Sequence, residues 1–280
     1  MVVHMKNILE FRVLKKDKLL NFLYSNVNKS KNNIKTLLKN GCVYVNEKKV
    51  TKFDFDLNVN DDIVIKMFNT KLDILYEDKN LIIVNKKDKL LTVSNNNISE
   101  NTLYKEVSSY VKKTNKNNKI FIVNRLDKDT SGIVIFAKNI KIKEKLQSEW
   151  NNIVSIREYV AIVHGITDKE GIIKSYLKEN DNHIVYSSSS GKYSVTRYKR
   201  LKNNNKYSKI LIYLDTGRKN QIRVHMKDIH HPVLGDRKYG IKDNVNRLLL
   251  HHSRIVFINP VDSKLIDIKC DSDDEFDKYV

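Results

Sequence analysis

Residues 120–138 read IFIVNRLDKDTSGIVIFAK, two apolar, strand-like segments on either side of a polar loop, RLDKDTSG (125–132). A polar loop held between buried strands can position a carboxylate accurately, which makes Asp127 a candidate catalytic group. Taken alone the signal is weak, because Asp and Gly favour turns in any protein. Working outward, LIIVN (81–85), KIFIVN (119–124), REYVAIVHG (157–165), KILIYLDTG (209–217) and RIVFINP (254–260) are rich in Val and Ile and read as strands. A helical pattern runs from Asn139 to Trp150. Strands outnumber helices and do not alternate regularly with them, so the expected fold is α+β with a mixed, mainly antiparallel sheet. The Asn- and Lys-rich stretches 113–119 and 202–206 read as exposed loops, and DSDDEFDKYV (271–280) as an acidic, solvated carboxy-terminal tail.

The first 67 residues are organised differently. Leu19, Leu20, Leu23 and Val27 lie at helical spacing within 17–27, and 30–40 repeats the pattern, with Ser30 as N-cap and Gly41 as the stop. CVYVN (42–46) alternates as a strand, Asn46 to Lys49 supply a turn, and DDIVIKM (61–67) is a second strand. Lys29, Lys31, Lys35 and Lys39 fall on or beside the second helix, off the apolar stripe of Ile34, Leu37 and Leu38, as on any solvated helix face. The two helices followed by NGCVYVNEKKVTK and VNDDIVIK resemble an S4 RNA-binding domain over about residues 10–67. The resemblance implies that these four lysines contact RNA, although the family often carries arginines near Ser30, with their bidentate phosphate geometry.

The 280 residues suffice for a catalytic core and a small module. The net charge of +19 suits a polyanionic partner. An AT-rich genome would enrich Lys, Asn and Ile in the same way, so charge suggests nucleic acid without showing it. No apolar run approaches the roughly 18 residues of a membrane helix, and the opening MVVHMKNILEF lacks the features of a secretory signal; a cytoplasmic location is the default expectation. Cys42 and Cys270 are too few for a disulfide framework or zinc site. His225, His230, His231, His251 and His252 lack partners at ligand spacing, so no metal site is expected.

RLDKDTSG resembles the active-site signature of the RluA-type pseudouridine synthases, in which His-Arg-Leu-Asp and two variable residues precede Thr-Ser-Gly. Other motifs follow in the family's order. LYEDKNLIIVNK (75–86) matches the opening motif and REYVAIVHG the segment with the active-site tyrosine, here Tyr159. LDTGRKNQIRVH (214–225) matches the segment with the active-site arginine, here Arg223, and HPVLGDRKYG (231–240) and LLLHHSRIVFINP (248–260) match the later motifs. The expected organisation is therefore an S4-like domain in 1–67, a pseudouridine synthase domain in 72–270 and the tail. Several positions depart from the pattern: Asn124 replaces the usual His, Lys87 a Pro, Lys219-Asn220 a Thr-His, and His252 an Ala. None touches the Asp, Tyr or Arg, so the departures bear on substrate detail and loop geometry rather than on the reaction.

The resemblance implies that Asp127 is the carboxylate that attacks the sugar or removes a sugar proton, that Arg223 is its counter-charge, and that Tyr159 stacks on uracil and assists loss of the C5 proton. Arg125 would fill the space left by the flipped base. Asp236 and Tyr239 would shape the site. The isomerisation imports no group and oxidises nothing, so no cofactor or metal is expected. The implied protein is a monomer acting on structured RNA, most of all large-subunit ribosomal RNA, with tRNA as the next substrate. A non-catalytic RNA-binding or ribosome-assembly factor would share the S4 domain and the charge, but has no need of Asp127, Tyr159 and Arg223 together.

Overall fold

A computed structural model describes residues 7–28, 30–39, 41–67, 72–94 and 101–280. It divides into two compact units, one drawn from 1–71 with 93–102, the other from 72–92 with 103–280.

The smaller unit runs β1 (Asn7–Arg12), β2 (Asp17–Lys18), α1 (Leu19–Asn26), α2 (Lys31–Lys39), β3 (Val43–Val45), β4 (Lys48–Lys49), β5 (Asp56–Leu57) and β6 (Asp62–Met67). One sheet has the order β1-β6-β3-β4, and β2 pairs separately with β5. Leu19 and Leu23 of α1 and Ile34 and Leu38 of α2 bury their side chains with Val43, Val45, Ile63 and Ile65. The second helix stops where expected. Gly41 has φ +64°, its N–H bonds to the Leu38 carbonyl at 2.9 Å, and Cys42 N–H reaches Leu37 at 3.0 Å, the double bond of a left-handed helix stop. The turn expected over 46–49 is tighter than that. Asn46 and Glu47 alone take positive φ, as a two-residue hairpin requires, and Lys48–Lys49 already pair with β3.

The larger unit runs β7 (Ile74–Glu77), β8 (Leu81–Lys86), α3 (Leu103–Val111), β9 (Phe121–Ile122), β10 (Ser131–Ala137), α4 (Ile140–Ser148), α5 (Trp150–Ile153), β11 (Val154–His164), β12 (Glu170–Glu179), β13 (Val185–Ser188), β14 (Lys192–Asn203), β15 (Tyr207–Leu214), α6 (Gln221–Asp228), β16 (Leu250–Ile258), β17 (Leu265–Lys269) and a final 3-10 turn, Asp274–Tyr279. Its sheet follows β13-β12-β14-β15-β11-β16-β10-β8-β7, with β17 on β16 and β9 on β10. The apolar runs of β8 and β10 are continuous because both faces are covered. Ile83, Ile133 and Ile135 face one cluster, while Ile82, Val84, Val134 and Phe136 pack with Leu103 and Val107 of α3 on the other.

Among the described pairings every one is antiparallel except β10 with β16, joined in parallel at Ser131–His251 and Gly132–His252. Gly132 permits this seam. Its φ is +113°, and a Cβ there would lie 2.4 Å from the His252 carbonyl oxygen. The loop before β10, the tyrosine strand β11 and the start of β16 therefore converge at one place.

Two expectations need correction. The stretch 202–206 is only partly a loop, since Lys202 and Asn203 end β14. The carboxy terminus is not a solvated tail. Phe276 is fully buried with Val160, Ile162, Leu234 and Leu249, and Tyr279 meets Tyr207 edge to face at 5.9 Å. Acidic residues outside and a phenylalanine inside make 271–280 amphipathic, which net charge alone conceals.

Candidate active site

The loop bearing Asp127 is held by neighbours on several sides. β9 pairs with β10 for only two residues, and Asn124 then supplies a side-chain oxygen to the Ile135 N–H at 2.7 Å, ending the ladder without leaving that donor bare. Thr92 Oγ1 donates to the Leu126 carbonyl at 3.0 Å. Lys86, fully buried, donates from Nζ to the carbonyls of Lys87, Leu90 and Lys128 at 2.9, 2.7 and 2.9 Å. Three acceptors match the three protons of an ammonium group. Burial nevertheless pushes the Lys86 pKa down to about 7, against the pull of Asp88, Asp129 and Asp127.

Opposite this loop lies α6. Its N-cap, Asn220, takes φ +53°, a conformation Asn tolerates better than most residues. The Asn220 amide donates to Asp127 Oδ2 at 2.5 Å, and its carbonyl oxygen accepts from the Tyr239 hydroxyl at 3.0 Å, which itself accepts from Val185 N–H at 3.0 Å. One turn into α6, Arg223 places Nη1 3.4 Å from Asp127 Oδ2. Its strongest partner is Asp236, through Nε and Nη2 at 2.7 Å each. The Asp236 side chain is completely buried and that of Arg223 is 7% exposed, whereas that of Asp127 is 31% exposed. Burial works against the Arg223 charge, but the bonds and charge of Asp236, then of Asp127, outweigh it and raise its pKa. Arg223 is thus a cation fixed from behind by one carboxylate and presented to another.

Tyr159 enters from β11. Burial raises its pKa, so the phenol stays protonated. Its ring stacks on His252, centroids 4.4 Å apart and planes 15° from parallel. His252 Nδ1 donates to the Ile133 carbonyl at 2.8 Å, and burial lowers its pKa to about 4, so the imidazole is neutral. Arg125, Asp127, Tyr159, Gly217, Asn220 and Arg223 line one pocket of about 110 Å³. The structure therefore brings together the four residues expected there from the sequence.

The lysines expected to contact RNA lie in the other unit. Lys31, Lys35 and Lys39 are exposed on α2, while Lys29 falls outside the described residues. Among the described residues no group of His, Cys, Asp and Glu is arranged to hold a metal ion, and no helix is long and apolar enough to cross a membrane.

Residues 80–228 match the family model of RNA pseudouridylate synthases, and residues 17–63 that of the S4 domain. The chain belongs to the RNA pseudouridylate synthase family. It is similar to the uncharacterized RNA pseudouridine synthase MG209 of Mycoplasma genitalium, 34% identical over 95% of this chain and 92% of that one. It is also 30% identical to ribosomal large subunit pseudouridine synthase C of Buchnera aphidicola subsp. Baizongia pistaciae over 82% of each chain. Ribosomal large subunit pseudouridine synthase D of Haemophilus influenzae is 28% identical over 80% of this chain and 75% of that one. The solved structure of human RNA pseudouridylate synthase domain containing 4 shares the fold, with a TM-score of 0.61 at 21% identity over 73% of this chain and 90% of that one.

Against the RluA-type pattern, one expectation fails. Two of the departures do touch the site: Asn220 bonds Asp127, and His252 stacks on Tyr159. Both were visible as unusual residues in this pseudouridine synthase sequence, but their contacts depend on chain segments far apart. Asp236 shapes the site as expected, by holding Arg223 from behind, but its burial and that of Lys86 were not readable. A lone carboxylate or lysine in a motif carries no sign that it will be buried.

Proposed function

We propose that this pseudouridine synthase isomerises specific uridines of large-subunit ribosomal RNA, with Asp127 as the essential carboxylate. The observation that carries the reading is the convergence of Asp127, Arg223, Tyr159 and Arg125 on one pocket at the parallel seam of the sheet. The reaction breaks the N1–C1′ bond, turns the uracil and joins C5 to C1′; the C5 proton is lost and N1 gains one. Asp127 serves either by attacking C1′ or by taking a sugar proton as the bond breaks. Arg223, held by Asp236, keeps a fixed positive charge beside it. Tyr159 offers the uracil a rigid aromatic face. Its hydroxyl stays protonated, so it can take the C5 proton only while passing its own to a base, and the carboxylate available in the pocket is Asp127. Arg125, exposed beside the pocket, fills the gap that the flipped nucleotide leaves in the RNA stack.

The S4-like residues 1–67 supply affinity through Lys31, Lys35 and Lys39, together with Lys29, and residues 72–270 supply the chemistry. The enzyme acts as a cytoplasmic monomer and needs no cofactor. The similarity to large-subunit synthases C and D supports the choice of RNA. Pseudouridine mapping in all RNA from cells with and without the gene tests the proposal. The expected result is loss of one or a few sites in large-subunit ribosomal RNA. Loss confined to tRNA would replace the substrate, and no loss anywhere would refute the reading.

A further inference from the structure

The turn between β15 and α6 lines the uracil pocket with Gly217 and Arg218, yet its own backbone holds it weakly. Asp215 N–H reaches the Val195 carbonyl at 3.3 Å and Gln221 N–H the Arg218 carbonyl at 3.2 Å, both at the long end of the usual range. Side chains supply the rest. Arg157 donates to the Asp215 carbonyl at 2.6 Å. Gln221, the first residue of α6, accepts from the Arg218 N–H at 3.0 Å and from the Thr216 hydroxyl at 2.8 Å. Its amide nitrogen donates to the Val195 carbonyl and to Thr196 Oγ1, at 3.0 Å each. The orientation of this buried amide therefore decides whether Arg218 finds an acceptor. Flipped, it would turn a donor toward the Arg218 N–H.

A chain of hydrogen bonds running away from the pocket sets that orientation. Thr196 Oγ1 lies 2.8 Å from His225 Nδ1, and His225 Nε2 lies 3.0 Å from Ser175 Oγ. Ser175 Oγ is 2.9 Å from Ser187 Oγ, which donates to Asp228 Oδ2 at 2.5 Å. Thr196 and His225 are fully buried, and burial lowers the His225 pKa to about 4, so its neutral ring has one donor and one acceptor. The carboxylate has no proton to give, so it takes that of Ser187. Ser187 must then accept from Ser175, and Ser175 from His225 Nε2–H. His225 Nδ1 is left as an acceptor and takes the Thr196 proton, which leaves Thr196 Oγ1 to accept from Gln221. Each proton has one place, and an aspartate at the surface fixes the direction of an amide beside the pocket.

We propose that Thr196 and His225 are positioning residues that act through Gln221 to hold the Gly217–Arg218 wall of the uracil pocket in place for the reaction. The inference rests on the proposed reaction, since it takes this pocket as the place where the uracil turns. Neither residue lines the pocket; each reaches it only through the amide that the chain orients.

The test compares Thr196→Val with Thr196→Ser in the full chain. Valine keeps the shape and loses the hydroxyl, whereas serine keeps the hydroxyl and loses a methyl. Amide hydrogen exchange at Arg218 reads the tether. Single-turnover pseudouridine formation in a large-subunit ribosomal RNA transcript, across RNA concentrations, reads its consequence. In Thr196→Val the Arg218 amide should exchange faster and the rate at saturating RNA should fall roughly tenfold or more, with the half-saturating concentration nearly unchanged. Thr196→Ser should stay near wild type in both. Rates are measured below the thermal midpoint of each variant, so that lost folding does not enter them. The reverse order, with serine worse than valine, would mark a packing role and overturn the proposal. Normal turnover in Thr196→Val despite faster exchange would overturn it as well. If Thr196→Val does not fold, Ser175→Ala takes its place, with smaller shifts expected in the same directions; no change in either readout would then refute the proposal. If wild type forms no pseudouridine in any RNA while Arg218 exchange still rises in Thr196→Val, the catalytic reading fails and the tether stands.

Discussion

The Arg223–Asp236 pair allows a structural role to be separated from a chemical one. Asp236→Asn keeps the volume but removes the charge, and it turns an amide donor toward a guanidinium that can only donate. Both original bonds are 2.7 Å long and the carboxylate is fully buried, so little water can replace it. Breaking a buried pair from one side costs about 3–5 kcal/mol. For a catalytic unit of this size, each kcal/mol moves the midpoint by about 2–4 °C, so the expected fall is roughly 6–20 °C. Arg223→Met with Asp236→Asn removes both charges, and the amide oxygen at 236 still accepts from the Lys238 and Tyr239 N–H groups, so removal of the whole ion pair is expected to be far less costly than breaking it from one side. This double variant should regain most of the lost midpoint in a thermal scan, yet remain at least about a hundredfold slower in single-turnover pseudouridine formation, as expected when preorganised charge is lost at a reacting centre. A midpoint within about 2 °C of wild type for Asp236→Asn would refute the burial argument. Near-normal turnover in the stable double variant would show that Arg223 only holds the fold together.

Three other perturbations follow from the same geometry. Asn220→Ala should slow single turnover more than Tyr239→Phe, because Asn220 bonds Asp127 directly, while Tyr239→Phe leaves Val185 N–H and Asn220 Oδ1 unpaired and should cost about 1–3 kcal/mol in urea unfolding. Lys86 has a folded pKa of about 7, below its ordinary value, so between pH 7 and roughly 10.5 the unfolded chain binds more protons. Its burial penalty is therefore fully present below pH 7 and relieved as pH rises, and the stability gain between pH 7 and 9 should be smaller in Lys86→Met than in wild type; equal slopes would place the titration elsewhere. His252→Ala should lower kcat roughly ten- to a hundredfold with KM nearly unchanged, by freeing the Tyr159 ring, and His252→Phe should recover part of the loss through stacking; a KM effect alone would point to RNA contact instead.

The strands near the site were legible because β8, β10 and β11 carry dense Val and Ile runs covered on both faces. β12 and β14 were not, since one face of each is polar and exposed, and EGIIKSYLKE or KYSVTRYKRLKN lacks an apolar run to mark a strand. Asp127, Tyr159 and Arg223 were readable only through their motifs; their own residue types fit a turn, a half-buried aromatic and an ion pair equally well. Arg223 does make that ion pair, with Asp236, and faces Asp127 as well. Beyond the Arg223–Asp127 pairing that the motifs implied, sequence could not show the partner of each group. Asn220 meets Asp127 across 93 positions, and Lys86 reaches the Lys128 carbonyl across 42. These contacts arise from the order of strands in the sheet, which no local pattern encodes.

The account stands or falls on Asp127, and its substitution by Asn measures that most directly. The change is nearly isosteric, leaves the loop tethers from Lys86, Thr92 and Asn124 in place, and removes the charge that both routes through the carboxylate require. The assay is single-turnover tritium release from 5-tritiated uridine in a large-subunit ribosomal RNA transcript, with RNA affinity and thermal midpoint measured in parallel. The predicted result is no release above background, with binding and folding near wild type. Release within about tenfold of wild type, about 1.4 kcal/mol of barrier, would contradict the central claim.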